Sequence, residues 1–286
     1  MNKIISLLSL IMLLCVICAF GTACGDKEKG TEGVIYGVSA DGTYVEVIGY
    51  TGTDKRVVIE SEYQGKPVTD IYSNAFNNSF IKEIVLPDTI LSIGDFAFFY
   101  CTKLTSVVIP DSVTSIGSAA FRYCRSLTSI VIPDSVTSIG YYAFDGCSKL
   151  QFTEYENCKY LGSKDNPYFA LIEGVSINFA SISIHNDAKI IANYAFNGYS
   201  RLASITIPDS VTSIGSYAFR SCSSLTSVVI GDGVTSIGKD AFTGCLIESA
   251  RIPAIACTCI INSNLKTVEI TSGEIRSEER RVGKEC

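Results

Sequence analysis

Tryptophan is absent from this 286-residue chain, histidine occurs once, as His185, and methionine occurs twice. A single imidazole excludes metal centres built on several histidines and argues against a catalytic triad. The sequence contains no phosphate-binding loop, dinucleotide fingerprint or HExxH motif, and no cysteine or serine lies in a defined nucleophile motif. These absences predict that residues 25–275 hold no enzyme active site, cofactor or metal.

Basic residues are in the minority, with 23 Lys and Arg against 29 Asp and Glu and a net charge of −6. No basic stripe runs along the sequence to neutralise phosphates, so nucleic acid is not an expected partner. Hydrophobic residues make up 47% of the chain. That share is enough for a large buried core.

Residues 1–23 are predicted to be a signal peptide, because Lys3 precedes an apolar run over residues 4–20 that is short for a bilayer span. Cys24 follows Gly-Thr-Ala, which resembles a bacterial lipobox except that glycine stands where an aliphatic residue is usual. Residues 24–32 would then be a lipid-anchor cysteine and a linker, with the membrane contacted through the lipid alone. The same bond also suits an ordinary signal peptidase.

A repeat dominates residues 61–275. The phrase VIPDSVTSIG stands at residues 108–117 and 131–140, and returns with one change at residues 206–215. One column of phenylalanines has steps of 22, 23, 23, 52, 23 and 23 residues. Its members are Phe76, Phe98, Phe121, Phe144, Phe196, Phe219 and Phe242. The period predicts a solenoid of stacked coils, and the longest step predicts a long coil at residues 155–178.

Each coil is predicted to contain one strand. Because strand side chains alternate between the two faces, Ile130 and Ile132 should point into the core and Val131 outward. The following Ala-Phe-x-x-Cys segment has the spacing of a short helical turn, and Gly140 is expected to permit a sharp bend. Stacked coils would therefore form a parallel β-sheet on one face, with short helical or irregular turns on the other.

Residues 33–60 differ from the repeat. Two apolar runs, residues 34–36 and 44–48, flank Asp41-Gly42, which is a strong hairpin signal. Because a solenoid needs its first coil covered, we predict an N-terminal β-hairpin cap. The alternative is a separate binding module, although so short a segment buries little surface alone.

The unit IPDSVTSIGxxAFxxCxxLTS resembles the 23-residue leucine-rich repeats of the BspA-like family of bacterial surface proteins, over about residues 57–271. The resemblance implies a leucine-rich repeat solenoid on the outer surface of a bacterial cell, or a secreted one if it is not lipidated. It further implies recognition or adhesion, with host matrix proteins, glycans or other cells as partners. Two hypotheses stay open: a non-catalytic spacer that presents a missing C-terminal module, and the binding part of a cell-wall enzyme.

The last segment, RSEERRVGKEC at residues 276–286, matches nothing before it. It resembles the in-frame translation of a sequencing adapter, so we expect an artefact rather than a charged tail. The natural C-terminus beyond residue 275 is therefore left open.

Two periodic polar columns are predicted to be structural. One column contains Cys101, Cys124, Cys147, Cys222 and Cys245. Because Tyr199 takes the same position in another coil, buried thiols acting as apolar filler are favoured over disulfides or metal ligands. The other column contains Asp88, Asp111, Asp134, Asp209 and Asp232. Each follows Pro or Gly at a turn, so hydrogen bonding within the turn is favoured over calcium binding.

The remaining candidate site is the outward side of the strands. Small hydroxyl side chains there could hold an extended chain or a glycan through many weak hydrogen bonds. The alternative is a solvated face whose residues serve strand propensity alone. The predicted ligand-binding face comprises Thr105, Ser106, Thr128, Ser129, Phe152, Ser204, Thr226 and Ser227.

Overall fold

The structure, a computed structural model, describes residues 29–260 and 265–271. The predicted signal peptide, Cys24 and residues 276–286 lie outside the described residues, so these three predictions stay predictions. Among the described residues, no helix is long and apolar enough to cross a membrane.

The N-terminal region begins with a β-hairpin, as the sequence predicts. Its strands are β1 (Val34–Val38), β2 (Val45–Tyr50), β3 (Arg56–Val58), β4 (Glu62–Tyr63) and β5 (Lys66–Ile71). β1 and β2 are antiparallel, and β2 continues in parallel onto β5. The hairpin thereby covers the open end of the stacked coils.

Each following repeat contributes two short parallel strands, one before and one after its proline turn. They are β6 (Glu83–Val85), β7 (Ser92–Ile93), β8 (Ser106–Val108), β9 (Ser115–Ile116), β10 (Ser129–Val131) and β11 (Ser138–Ile139). The first strands stack in the order β3-β6-β8-β10, and the second strands stack as β5-β7-β9-β11. The predicted solenoid is confirmed, with a second parallel sheet where the sequence predicts only one.

An antiparallel meander interrupts the repeats at the predicted long coil. It consists of β12 (Thr153–Tyr155), β13 (Cys158–Leu161) and β14 (Ala170–Gly174). The repeats then resume as β15 (Ser181–Ser183), β16 (Ile190–Ile191), β17 (Ser204–Ile207), β18 (Ser213–Ile214), β19 (Ser227–Ile230), β20 (Ser236–Ile237), β21 (Ser249–Ile252) and β22 (Thr267–Ile270). β14 pairs in parallel with β16, so the meander joins the second sheet.

The core lies between the two sheets and is filled by the phenylalanine column. Phe98 stacks on Phe121 with ring centroids 5.1 Å apart, and Phe121 stacks on Phe144 at 5.7 Å. The stack resumes after the meander, with Phe196 and Phe219 5.2 Å apart. Each ring packs against rings of its own type because every coil repeats the same residue at the same height.

The segments around each Ala-Phe pair are irregular tight turns and not helical ones. Left-handed residues bracket each pair, as Tyr142 (φ 56°) and Gly146 (φ 71°) do, and a right-handed helix cannot continue through them. Helix is limited, in the part of the chain that is described, to a 3-10 turn at Ala254–Ala256 and one α-turn at Cys257–Ile260. Gly140 is required for a different reason from the sharp bend that the sequence predicts. It lets two neighbouring coils approach closely, because a Cβ at this position would lie 2.3 Å from the Ser118 amide nitrogen.

Candidate functional site

The structure brings the predicted serine ladder together, but in two separate sheets. Ser106 pairs with Ser129 across β8 and β10, and Ser204 pairs with Ser227 across β17 and β19. The meander stands between the two sets. The predicted face is therefore two short ladders rather than one continuous surface.

The threonine hydroxyls of this face are engaged within the solenoid. Thr105 Oγ1 donates to the Lys82 carbonyl at 3.0 Å, and Thr128 Oγ1 donates to the Thr105 carbonyl at 3.3 Å. Thr226 Oγ1 donates in the same way to Ala203, at 3.4 Å. Because each hydroxyl hydrogen is donated to a carbonyl of the preceding coil, these hydroxyls can only accept hydrogen bonds from a ligand.

Two valines make the same face more apolar than its serines and threonines imply. Val108 is 77% exposed and Val131 is 50% exposed on adjacent strands. Phe152, by contrast, is only partly exposed and packs against the core of the N-terminal half. The structure thus separates Phe152 from the hydroxyl face.

A second surface, which was not predicted from the sequence, runs along the edge of the solenoid that the Ala-Phe turns form. We call this edge the Ala-Phe edge. Aromatic rings and guanidinium groups from five coils line it, and we name it the aromatic–arginine strip. It comprises Phe96, Phe99, Tyr100, Arg122, Tyr123, Arg125, Tyr141, Tyr142, Tyr194, Tyr217 and Arg220.

At one end of the strip, rings and cations alternate. Tyr100 and Tyr123 meet edge to face with centroids 5.7 Å apart. The Arg125 guanidinium lies over both rings, at 5.5 and 5.8 Å. Arg122 lies 4.6 Å above Tyr142 and pairs with Asp145 at 2.7 Å. These cation–π contacts hold the long arginine side chains in place.

At the other end, tyrosines continue the strip across the meander. Tyr141 stacks on Tyr142 at 3.5 Å and meets Tyr194 at 4.1 Å. Tyr194 stacks on Tyr217 at 4.7 Å, and Arg220 lies 5.3 Å above Tyr217. Burial against these neighbours raises the pKa of the Tyr141 hydroxyl, so it stays protonated and can donate a hydrogen bond.

Six strip aromatics hold backbone conformations that favour glycine or asparagine. They are Phe96, Tyr100, Tyr123, Tyr142, Tyr194 and Tyr217, with φ between 56° and 61°. Each costs roughly 1–2 kcal/mol relative to a right-handed conformation. The six occupy two columns of left-handed residues, whose other members are Asn74, Ala119 and Asp240 in one and Asn78, Gly146, Gly198, Ser221 and Gly244 in the other. The chain thus tolerates backbone strain in order to present these rings.

A small cavity of about 60 Å³ opens beside the strip where the meander enters. Tyr142, Tyr194 and Phe152 line it, together with the carboxylates of Asp145 and Glu173. Glu173 pairs with Lys159 at 2.8 Å, and Lys159 lies 5.3 Å above Phe152. Phe152 therefore belongs to the strip side of the molecule.

Residues 69–169 and 173–286 match, in six copies, the model of a family described as "BspA type Leucine rich repeat region". The two matched segments make up most of the chain. The chain belongs to the BspA-type leucine-rich repeat family. A comparison with curated proteins returns no match.

Several solved structures are similar to this BspA-type chain. One is a T. pallidum leucine rich repeat protein, which is 24% identical with a TM-score of 0.40. The match covers 86% of this chain and 83% of the T. pallidum protein. A Bacteroides ovatus leucine-rich repeat protein is 24% identical with a TM-score of 0.43, covering 85% and 76%. A leucine rich cell surface protein from Faecalibacterium prausnitzii is 23% identical with a TM-score of 0.35, covering 93% and 100%.

The cysteine ladder of this BspA-type repeat consists of buried free thiols, as the sequence predicts. Cys101 Sγ donates to the Phe76 carbonyl at 3.0 Å, and Cys124 Sγ donates to the Phe98 carbonyl at 3.1 Å. Burial raises the pKa of Cys101 to about 12. Each thiol of the ladder donates to a carbonyl of the preceding coil, and the raised pKa makes Cys101 unreactive in the folded state.

The aspartate ladder lies at the proline turns, on the edge opposite the Ala-Phe edge. We call it the aspartate edge. Asp209 Oδ1 accepts a hydrogen bond from the Asp232 amide of the next coil at 3.0 Å, so this contact joins two coils and is not the bond within one turn that the sequence predicts. His185 lies on this edge, stacked on Tyr168 at 3.7 Å, and its Nδ1 accepts from the Asp187 amide at 3.1 Å. Within the described residues, no three His, Cys, Asp or Glu side chains are grouped as a metal site requires.

Proposed function

We propose that this BspA-type repeat protein is a non-catalytic recognition protein of the bacterial cell surface, and that the aromatic–arginine strip binds its extracellular partner. The strained backbone of six exposed or half-exposed aromatics carries the proposal, because folding alone would favour glycine or asparagine there. Tyrosine, phenylalanine and arginine are also enriched at recognition surfaces relative to the rest of the protein surface.

The predicted lipid anchor fits this role. The Thr31 amide donates to the Val58 carbonyl at 3.0 Å, so the end of the linker is fixed to the first coil. From Cys24 to Thr31 an extended chain spans at most about 25 Å. Lipidation of Cys24 would therefore hold the solenoid close to the membrane, and Cys24→Ala should release the protein into the medium. Retention of that variant in the membrane fraction would contradict the anchor.

The strip is tested by a pull-down of matrix proteins and mucin with wild type and two triple variants. Changing Tyr100, Tyr142 and Tyr217 to Asn should abolish capture, since asparagine suits left-handed backbone and keeps the fold. Changing Thr105, Thr128 and Thr226 to Lys should leave capture intact. Circular dichroism verifies that both variants are folded.

The hydroxyl face is the second candidate, favoured by the exposure of Val108 and Val131. It predicts the reverse outcome, with capture lost in the threonine variant and kept in the tyrosine variant. Failure of wild type to capture any matrix protein or mucin would count against both surfaces.

A further inference from the structure

Charge is segregated between the two edges of the solenoid. The proline-type turns of the aspartate edge, from residue 87 to residue 233, carry six aspartates, and the cations nearest to them are Lys164, in the loop that contacts Asp187, and Lys189: the aspartates are Asp88, Asp111, Asp134, Asp187, Asp209 and Asp232. The corresponding turns of the Ala-Phe edge carry six cations against Asp95 and Asp145, and the meander adds Glu173, which is paired with Lys159: the six cations are Lys103, Arg122, Arg125, Lys149, Arg201 and Arg220. A chain of net charge −6 therefore presents one positive edge.

Five of these cations lack a carboxylate partner. Arg122 pairs with Asp145, but within the described residues Lys103, Arg125, Lys149, Arg201 and Arg220 form no ion pair. Stacked coils repeat at about 5 Å. Arg125 and Arg220 lie over rings of the strip. Lys103, Lys149 and Arg201 share one column of the same edge, each two residues after the Cys or Tyr that ends its Ala-Phe turn.

We propose that the strip binds a linear anionic glycan, one whose sugars carry sulfate or carboxylate groups; this rests on the proposed function. The unpaired cations match the anionic groups along such a chain. Exposed tyrosine rings offer apolar faces to sugar rings, and their hydroxyls offer hydrogen bonds. The aspartate edge repels the same ligand, which restricts binding to one edge.

An acidic polypeptide fits this edge less well. Peptides are held through an unpaired strand edge, an apolar groove, an aromatic-lined groove or, for acidic motifs, a cluster of arginines. Backbone amides of the Ala-Phe turns already donate to the next coil, as Phe98 does to Ala120 at 2.7 Å and Phe121 to Ala143 at 2.8 Å. The side chains are what remains for recognition, and the exposed rings beside the cations favour a charged sugar chain, because they offer apolar faces on which sugar rings stack.

The test measures binding of the purified protein to heparin, hyaluronate, polyglutamate and uncharged dextran by biolayer interferometry. We expect heparin or hyaluronate to bind in a salt-sensitive manner and dextran not to bind. Changing Lys103, Arg125 and Lys149 to Gln should weaken binding about tenfold or more, since three surface charge contacts are lost. Changing Asp88, Asp111 and Asp134 to Asn is the matched control on the opposite edge and should not weaken it.

A further variant separates sugar recognition from simple charge attraction. Phe96→Asn removes an exposed ring that contacts Phe99 and, among the described residues, no cation, so it should weaken glycan binding severalfold without changing the salt dependence. Unchanged binding in the cation variant, or tighter binding of polyglutamate than of either glycan, would overturn the glycan proposal. Capture of a matrix protein that persists after its glycans are enzymatically removed would also overturn it, while leaving the proposed recognition function in place.

Discussion

Ile130 and Val131 are neighbours on β10 whose side chains face opposite sides of the sheet. Ile130 is 6% exposed and pairs with Val107, whereas Val131 is 50% exposed and pairs with Val108. Replacing each by aspartate places the same carboxyl group inside and outside the core. The pair of variants therefore tests the packing of the coils with a matched control.

The expected cost of Ile130→Asp has two parts. Loss of the buried aliphatic side chain destabilises the fold by about 2–4 kcal/mol. The core would accept the carboxyl group only in its protonated form, and protonation at pH 7 costs about 4 kcal/mol from a usual pKa of about 3.9. The total of about 6–8 kcal/mol is close to the whole stability of many domains.

The second part depends on pH with a defined sign. A buried carboxyl group has a raised pKa, so the folded variant binds a proton that the unfolded chain lacks between about pH 4 and 7. The defect should shrink by about 2.7 kcal/mol from pH 7 to pH 5. Val131→Asp should change the free energy of unfolding by about 0.5 kcal/mol or less at either pH.

Urea unfolding followed by circular dichroism at pH 7 and pH 5 measures these differences. Equal losses in the two variants would refute the inward and outward assignment of β10. A loss of stability in Ile130→Asp that does not change with pH would refute burial of the carboxyl group.

Two further predictions concern strain and the thiols. Ser221→Gly should raise the free energy of unfolding by about 1 kcal/mol, because Ser221 is exposed with φ 59° and glycine adopts this conformation without steric cost; a lower urea midpoint would contradict the strain. Burial raises the pKa of the Cys101 and Cys147 thiols from 9.0 to about 12. As the pH rises, these thiols therefore ionise in the unfolded chain before they ionise in the folded protein. The stability that the neutral thiols contribute is present below about pH 9 and is lost between about pH 9 and 12. Urea midpoints should fall between pH 8 and 10.5, and a Cys101→Ala variant with an equally steep fall would argue against this cause.

The sequence predicted the strand register because alternation leaves a clear signal: Ile130 and Ile132 are buried and Val131 is exposed. The second sheet was missed because its strands span only two residues in most coils, as at Ser115–Ile116. So short a strand shows no alternation. Its pairing arises from stacking equal segments of neighbouring coils.

The aromatic–arginine strip was missed for a different reason. Its aromatics repeat in only some of the coils, since Tyr100 and Tyr123 share their column with Asn78 and Gly146. That mixture was itself the available signal, because glycine and asparagine in one column indicate left-handed backbone. The position of Phe152 could not be predicted, because it depends on how the meander β12–β14 packs against the preceding coil.

Hydroxyl-radical footprinting with mass spectrometry tests the location of the recognition surface most directly. Oxidation of Tyr100, Tyr123, Tyr142 and Tyr217 is compared in free protein and in protein saturated with heparin or with a captured matrix partner. The aromatic–arginine strip predicts protection of these tyrosines and unchanged oxidation of Val108 and Val131. Protection of the two valines with full oxidation of the tyrosines would contradict it.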